Sequence, residues 1–267
     1  MDTIDTLIDE LRADHAFFEN VTRLHTIPER SAVYEPVPED VSPELRAVLQ
    51  ERSIDRLYSH QARAYERVRA GRNVVLVTPT ASGKTLGYNL PVVQTLLEEP
   101  EARALYLFPT KALSQDQQST LNEVVFGGTL PLKVSTYDGD TPSSLRVSAR
   151  ESGRIVISNP DMLHSGILPN HPKWIKFLSN LRFIVLDELH TYRGVFGSHM
   201  TNLVRRLRRI ARFYGTEPRF ICCSATIGNP KELAERIIEA PTDIIDENGA
   251  PSGRRIIAFY NPPLVDP

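Results

Sequence analysis

From about residue 44 to about 260, short apolar runs rich in β-branched residues alternate with stretches of helical periodicity. The runs Asn73–Thr78, Ala104–Phe108, Lys133–Thr136, Arg154–Ser158, Phe183–Leu186 and Arg219–Cys223 predict strands. Several are apolar without alternation, the pattern of parallel strands covered on both faces. Between them, Lys84–Leu97, Ala112–Val124 and Ser198–Arg212 repeat apolar residues at helical spacing and predict helices. Repeated β-then-α units imply an α/β fold with a doubly wound, mostly parallel sheet and helices on both faces. Ligands of such sheets bind at the carboxyl ends of the strands, so the loops that follow the strands are the places to look for chemistry.

The preceding residues read differently. Residues 1 to about 25 predict one acidic amphipathic helix, with Ile4, Leu7, Ile8 and Leu11 on one face. Residues 26 to 43 hold Pro28, Pro36, Pro38 and Pro43 with acids between them, a linker or an extended arm. The expected organisation is an N-terminal helix and proline-rich arm (1–43), an α/β domain (44–262) and the start of a linker (263–267).

Composition changes little. With 267 residues, 41% hydrophobic and 24% charged, the chain can bury a core without disulfides or a structural metal. A net charge of −2 leaves any nucleic-acid binding to local patches. The two cysteines, Cys222 and Cys223, are adjacent, have no zinc-ligand spacing and read as small apolar residues of a buried strand. No apolar run approaches the ~20 residues of a membrane span. The N-terminus lacks the basic start and apolar core of a secretory signal. A soluble, monomeric, cytoplasmic protein is expected, nucleoid-associated in a prokaryote or nuclear in a eukaryote.

The first chemical motif follows the strand at Asn73–Val77. Thr78-Pro79-Thr80-Ala81-Ser82-Gly83-Lys84-Thr85 is a small-residue loop that opens a helix, an arrangement that cradles phosphate. Thr80, Ala81, Ser82 and Gly83 allow backbone N–H groups to approach the phosphates, and the helix terminus adds partial positive charge. Lys84 supplies a point charge for the β and γ phosphates of ATP, and the Thr85 hydroxyl is a ligand for Mg²⁺. Thr78 stands where the general pattern has glycine, so a chance Ser-Gly-Lys-Thr turn is the competing reading. Next, the strand Phe183–Leu186 runs into Asp187-Glu188-Leu189-His190. Asp187 is expected to hold Mg²⁺ through water, and Glu188 to orient and deprotonate the attacking water. A solvated acid pair at a strand end is the alternative. His190 is a candidate link from the nucleotide to the rest of the machine, against a merely structural histidine. Ser224-Ala225-Thr226, after the next strand, offers hydroxyls that relay hydrogen bonds between sites.

Ser-Gly-Lys-Thr, Asp-Glu-x-His and Ser-Ala-Thr, in this order, resemble motifs I, II and III of superfamily-two DExH-box helicases. Leu57-Tyr58-Ser59-His60-Gln61 is similar to the adenine-reading Q motif, which implies base contacts by Tyr58 and Gln61. Pro109-Thr110-Lys111-Ala112-Leu113 resembles motif Ia and Ser158-Asn159-Pro160-Asp161-Met162-Leu163 resembles motif Ib. The family tolerates threonine at the position of Thr78. The block Asp187–Met200, with Tyr137-Asp138-Gly139-Asp140-Thr141, resembles the MrfA/YprA-type DNA repair helicases. The resemblance spans residues about 50 to 262. It implies the first RecA-like, phosphate-loop NTPase domain of a motor that moves 3′→5′ on single-stranded DNA, RNA being the alternative strand. It also implies a second RecA-like domain in cis, absent from these 267 residues. The chain is therefore expected to be a piece of a longer helicase, with little or no activity alone.

The same resemblance places Thr110, Lys111, Asn159 and Asp161 near the backbone of the strand, making sequence-independent contacts. Asp161 reads more simply as the cap of the following helix. Tyr192 and Arg193 are candidates to stack on or pair with the strand, against a packed loop. The arginines of Arg205–Arg212 surround the apolar stripe Leu203, Leu207 and Ile210, predicting a solvated face or an interface with the second domain rather than a binding patch. Trp174 reads as packing. Two other classes remain at this point: a nucleotide-gated strand-binding module that never unwinds, and a small-molecule kinase.

Overall fold

A computed structural model describes residues 3–110 and 130–263. Its strands, in chain order among the described residues, are β1 (Val21–Ile27), β2 (Tyr34–Pro36), β3 (Arg56–Tyr58), β4 (Val74–Val77), β5 (Arg103–Leu107), β6 (Val134–Thr136), β7 (Ile155–Ser158), β8 (Leu181–Leu186), β9 (Arg219–Ser224), β10 (Asp243–Ile245) and β11 (Arg255–Tyr260). The six expected strands are all present, each ending within two residues of its expected bounds. The helix expected at Ala112–Val124 lies outside the described residues.

Seven strands form one sheet in the order β10-β4-β9-β8-β5-β7-β6, and every neighbouring pair is parallel. The reason the strands lack alternation is visible in the packing. Val74 and Leu76 of β4 enter one apolar layer, while Val75 and Val77 enter the other. Phe183 and Val185 of β8 divide in the same way from Ile184 and Leu186. Side chains alternate between faces with a period of two, and both faces are covered, so every position is apolar. Cys222 and Cys223 fall on opposite sides of the sheet, each fully buried. Burial pushes the Cys222 thiol up to about 12.

Two side chains fix the frame around the strand that carries the phosphate loop. Asn73 accepts the Phe220 N–H at 2.9 Å and donates to the Pro241 carbonyl at 3.0 Å, joining the start of β4 to its neighbours on both sides. Arg154 donates to the carbonyls of Ala102, Leu96 and Glu99 at 2.9, 2.6 and 2.9 Å. It thereby caps the helix Lys84–Glu98, whose last carbonyls have no partner inside the helix. The long helix Gly194–Phe213 begins a turn earlier than its periodicity predicts.

The chain divides into two compact units, residues 33–250 and residues up to 32 together with those from 251 onward. These divisions differ from the expected boundaries at 43/44 and 262/263. In the smaller unit, β1 and β11 pair antiparallel from Val21↔Tyr260 to Ile27↔Arg255. Asp5 and Arg254 form an ion pair at 2.6 Å, and the rings of Phe17 and Tyr260 stack at 4.9 Å. A single helix to about residue 25 is therefore not what forms. The helix stops at Ala13, Asp14 caps the short helix His15–Phe18 through the Phe17 N–H at 3.1 Å, and the chain extends at Val21. The residues that pair with β1 lie 228 to 239 positions away in sequence, beyond the reach of local periodicity. No helix among the described residues is long and apolar enough to cross a membrane.

Candidate active site

The order of strands decides where the motifs meet. β9 lies between β4 and β8, so the loop after β4, Ser224-Ala225-Thr226 after β9 and the acid pair after β8 leave three adjacent strands at one end of the sheet.

The phosphate loop is held by its own side chains. The Thr78 and Ser82 hydroxyls, both buried, share a hydrogen bond of 2.6 Å across the loop. The threonine that departs from the glycine pattern thus acts as a clasp. Ala81 sits at φ +62° and Gly83 at φ +83°, in the left-handed region that turns the chain into the helix. A Cβ at Gly83 would lie 2.6 Å from Nε2 of Gln61. Lys84 extends over the loop, its ammonium donating to the carbonyls of Thr78 and Pro79 at 2.7 and 3.1 Å.

Gln61 is in the third position of the helix Ser59–Arg69 and is buried. Its carboxamide oxygen accepts the Tyr58 N–H at 2.9 Å, the reciprocal half of a capping box. Its nitrogen donates to the Gly83 carbonyl at 2.9 Å. A carboxamide offers two donors and two lone pairs, so one of each remains for a base. Tyr58, half-buried beside Gly83, stacks on Tyr34 with centroids 5.3 Å apart, an arrangement set by the antiparallel pairing of β2 and β3.

Asp187 follows β8, its backbone N–H bonded to the Leu107 carbonyl of β5 at 3.1 Å. Desolvation raises its carboxyl from the ordinary range to about 6; the Glu188 N–H, at 2.7 Å from Oδ1, and the nearby Lys84 charge oppose the rise. The Tyr88 hydroxyl donates to Asp187 Oδ2 at 3.4 Å and also shares a hydrogen bond with Thr85. Tyr88 therefore ties the phosphate-loop helix to the acid strand, and burial pushes its own hydroxyl well up. The sequence reading missed it. Its signal was the spacing Thr85-x-x-Tyr88, which stacks the two hydroxyls on one helix face. Glu188 adopts φ +51°, uncommon for a side-chain-bearing residue. Its carboxylate lies 3.3 Å from His190 Nδ1.

His190 Nδ1 also accepts the Ala225 N–H at 3.3 Å, a direct bond between the acid turn and the segment after β9. Ser224 is buried and donates to the Ala225 carbonyl at 2.8 Å, while Thr226 is exposed. The Ser224 hydroxyl is engaged by the carbonyl of its neighbour, and the bond to the acid turn runs through the Ala225 backbone.

The candidate strand contacts fare unevenly. Asn159, not Asp161, caps the helix Pro160–Met162, accepting the Met162 N–H at 2.9 Å. It is buried, with its side-chain oxygen engaged in the cap; Asp161 is exposed in the first turn. Tyr192 is fully buried and packs on Phe196 at 5.3 Å, which removes it as a surface on which a strand stacks. The aromatic belongs to the core because Gly197 lets the helix approach the Tyr192 carbonyl, where a Cβ would come within 2.5 Å of the oxygen. Arg193 and Thr110 are exposed; Lys111 lies outside the described residues. Trp174 is buried beside Tyr137 at 4.7 Å, a packing residue as expected.

Residues 58–233, roughly two thirds of the chain, match the family model of the DEAD/DEAH box helicases. The chain belongs to this family. It has the family's RecA-like fold and ATP-binding motifs. It is 55% identical, over 97% of its length, to the ATP-dependent helicase YprA of Bacillus subtilis. It is 39% identical to the ATP-dependent helicase hrq1 of Schizosaccharomyces pombe, over 99% of its length. A crystal structure of the DUF1998 helicase MrfA bound to DNA and AMPPNP superposes on 98% of the chain with a TM-score of 0.93 and 54% identity. The chain spans 35%, 26% and 36% of these three proteins. Within the DEAD/DEAH family its likeness is to helicases of the MrfA/YprA type.

Proposed function

We propose that this chain supplies the ATP-binding half of an ATP-dependent DNA helicase that couples hydrolysis to movement along a single strand. The observation that carries the reading is the His190–Ala225 bond between the turns that follow β8 and β9, beside the phosphate loop of β4. A small-molecule kinase has no use for that link, nor for Gln61 bonded to the phosphate loop.

Lys84 turns from the loop carbonyls to the β and γ phosphates, joined by the N–H groups at the start of its helix. Tyr58 and Gln61 receive the adenine, Gln61 with its remaining donor and lone pair. Thr85 and Asp187 are the hard oxygen donors that would hold Mg²⁺, which supplies neutralisation of charge on the phosphate oxygens. Glu188 orients the attacking water and takes its proton. His190 reports the state of the acid turn to Ala225. We assign the strand to DNA because the similar MrfA structure is of a DNA complex, and the direction to 3′→5′ on the resemblance of the motifs. Thr110, Lys111 and Arg193 are the backbone contacts in this reading. A second RecA-like domain in cis completes the ATP site.

The test has two arms. A fluorescent ATP analogue titrated into the chain with Mg²⁺ binds the wild type and not Lys84→Ala; equal binding sinks the phosphate-loop assignment. In the longer protein, Glu188→Gln retains ATP binding and loses DNA-stimulated turnover. Unchanged turnover removes Glu188 from its role, and stimulation by RNA alone overturns the choice of strand.

A further inference from the structure

A cavity of about 420 Å³ opens between the turn after β7 and the first turns of the helix Gly194–Phe213. Asp161, His164, Phe196, His199, Met200 and Arg206 are among the residues that line it. Its wall is unusual in one respect. Phe196 remains 39% exposed although its ring rests on that of the fully buried Tyr192. Part of an aromatic ring held against the core is thus left open to solvent at the cavity.

The charge beside that face is also uncommitted. Along the same helix Arg205 pairs with Glu239, Arg208 donates to the carbonyls of Ile238 and Glu239, and Arg212 pairs with Glu217. These arginines hold the helix against its neighbour and the following loop. Arg206, which faces the cavity, has no carboxylate partner among the described residues. His164 and His199, both exposed, add ring nitrogens to the lining.

We propose that this cavity receives one unstacked base of a nucleic-acid single strand, lying on Phe196, with its phosphate held by Arg206. The inference rests on the nucleic-acid part of the proposed function and extends it beyond the helicase motifs. Its chemistry selects this ligand. An aromatic and methionine wall suits a flat apolar face, and one fixed cation suits a single phosphate. A triphosphate would want several fixed cations, and Arg206 is the one arginine or lysine among the described lining residues. Asp161 at the rim disfavours a bare anion and accepts from the exocyclic amine of a base. A segment of protein covering the same cavity is the outcome that would displace the proposal.

The experiment measures anisotropy of a labelled single-stranded DNA oligonucleotide against the 267-residue chain, alongside a strand of the same length built entirely from abasic sites. Stacking on one aromatic predicts that Phe196→Ala weakens binding of the normal strand by about 5- to 100-fold. On the abasic strand, wild type and Phe196→Ala should bind alike. Phe196→Tyr, which keeps the ring, should bind like wild type and controls for folding. Arg206→Ala should weaken both strands and lower the salt slope by about 0.7. Equal loss on both strands for Phe196→Ala, or no loss on either, overturns the base pocket while leaving the helicase reading intact. No binding by the wild type to any strand overturns the base pocket, and the nucleotide titration with Lys84→Ala decides the helicase reading separately.

Discussion

Replacing Asp187 by asparagine should stabilise the metal-free protein at alkaline pH while destroying its function. The carboxyl is desolvated at the end of β8, and its proton affinity rises from an ordinary 3.8 to about 6. A carboxyl whose folded value is raised favours the folded state only when protonated. Ionising it in the folded protein therefore costs stability above pH ~6, and that cost vanishes below ~3.8, where both states are protonated. That rise corresponds to about 3 kcal/mol at pH 8, falling to about half of that at pH 5. Asparagine keeps the shape and still accepts the Glu188 N–H through Oδ1; its Nδ2 donates to the Tyr88 hydroxyl where Oδ2 accepted from it, and it carries no charge to desolvate. The expected gain in melting temperature is about 5–10 °C at pH 8 for a unit of this size. Differential scanning calorimetry in the presence of a chelator, at pH 8 and pH 5, measures it. A gain of the same size at both values would show that shape, not ionisation, is responsible. A loss at pH 8 would show that the carboxylate is well solvated or paired, and would refute the argument.

Other perturbations separate the clasp, the frame and the core. Gln61→Ala removes bonds to both Tyr58 and Gly83, and should weaken binding of the ATP analogue by about tenfold with a destabilisation of about 1–2 kcal/mol, read by titration and urea melts. Gly197→Ala drives a Cβ against the Tyr192 carbonyl and should cost more than about 2 kcal/mol; an unchanged urea midpoint would mean that the helix start slides freely. Arg208→Ala leaves the carbonyls of Ile238 and Glu239 without their donor, and should lower stability by about 1–3 kcal/mol with nucleotide affinity unchanged.

The central sheet was legible because parallel strands buried on both faces leave unbroken apolar runs, and the motifs could be placed because they fall at the ends of those runs. What escaped the sequence depends on partners distant along the chain. β10 is three residues at the sheet edge, too short for a periodicity of its own. β1 finds its partner only through β11, and was read as the tail of a helix. Tyr192 looks exposed in a polar-flanked turn, yet the glycine at 197 admits its carbonyl and the ring sinks into the core. Asn159 and Asp161 both have capping chemistry, and only the backbone decides that Asn159 is the half-in residue. The arginine-rich helix was expected to present a solvated face or an interface with a second domain; Arg205, Arg208 and Arg212 instead bind Glu239, the Ile238 and Glu239 carbonyls and Glu217 of the same unit, and nothing local singled out Arg206.

The carboxamide of Gln61 has a consequence for what mutation can explore. One planar group spans the start of a helix and the Gly83 carbonyl of the phosphate loop, with one donor and one lone pair left over. Glutamate has the length but cannot donate; asparagine can donate but falls a methylene short. On the proposed reading of the site, choice of base and shape of the phosphate loop would rest on this single side chain. A change of nucleobase at Gln61 would then disturb the loop at Gly83 in the same stroke.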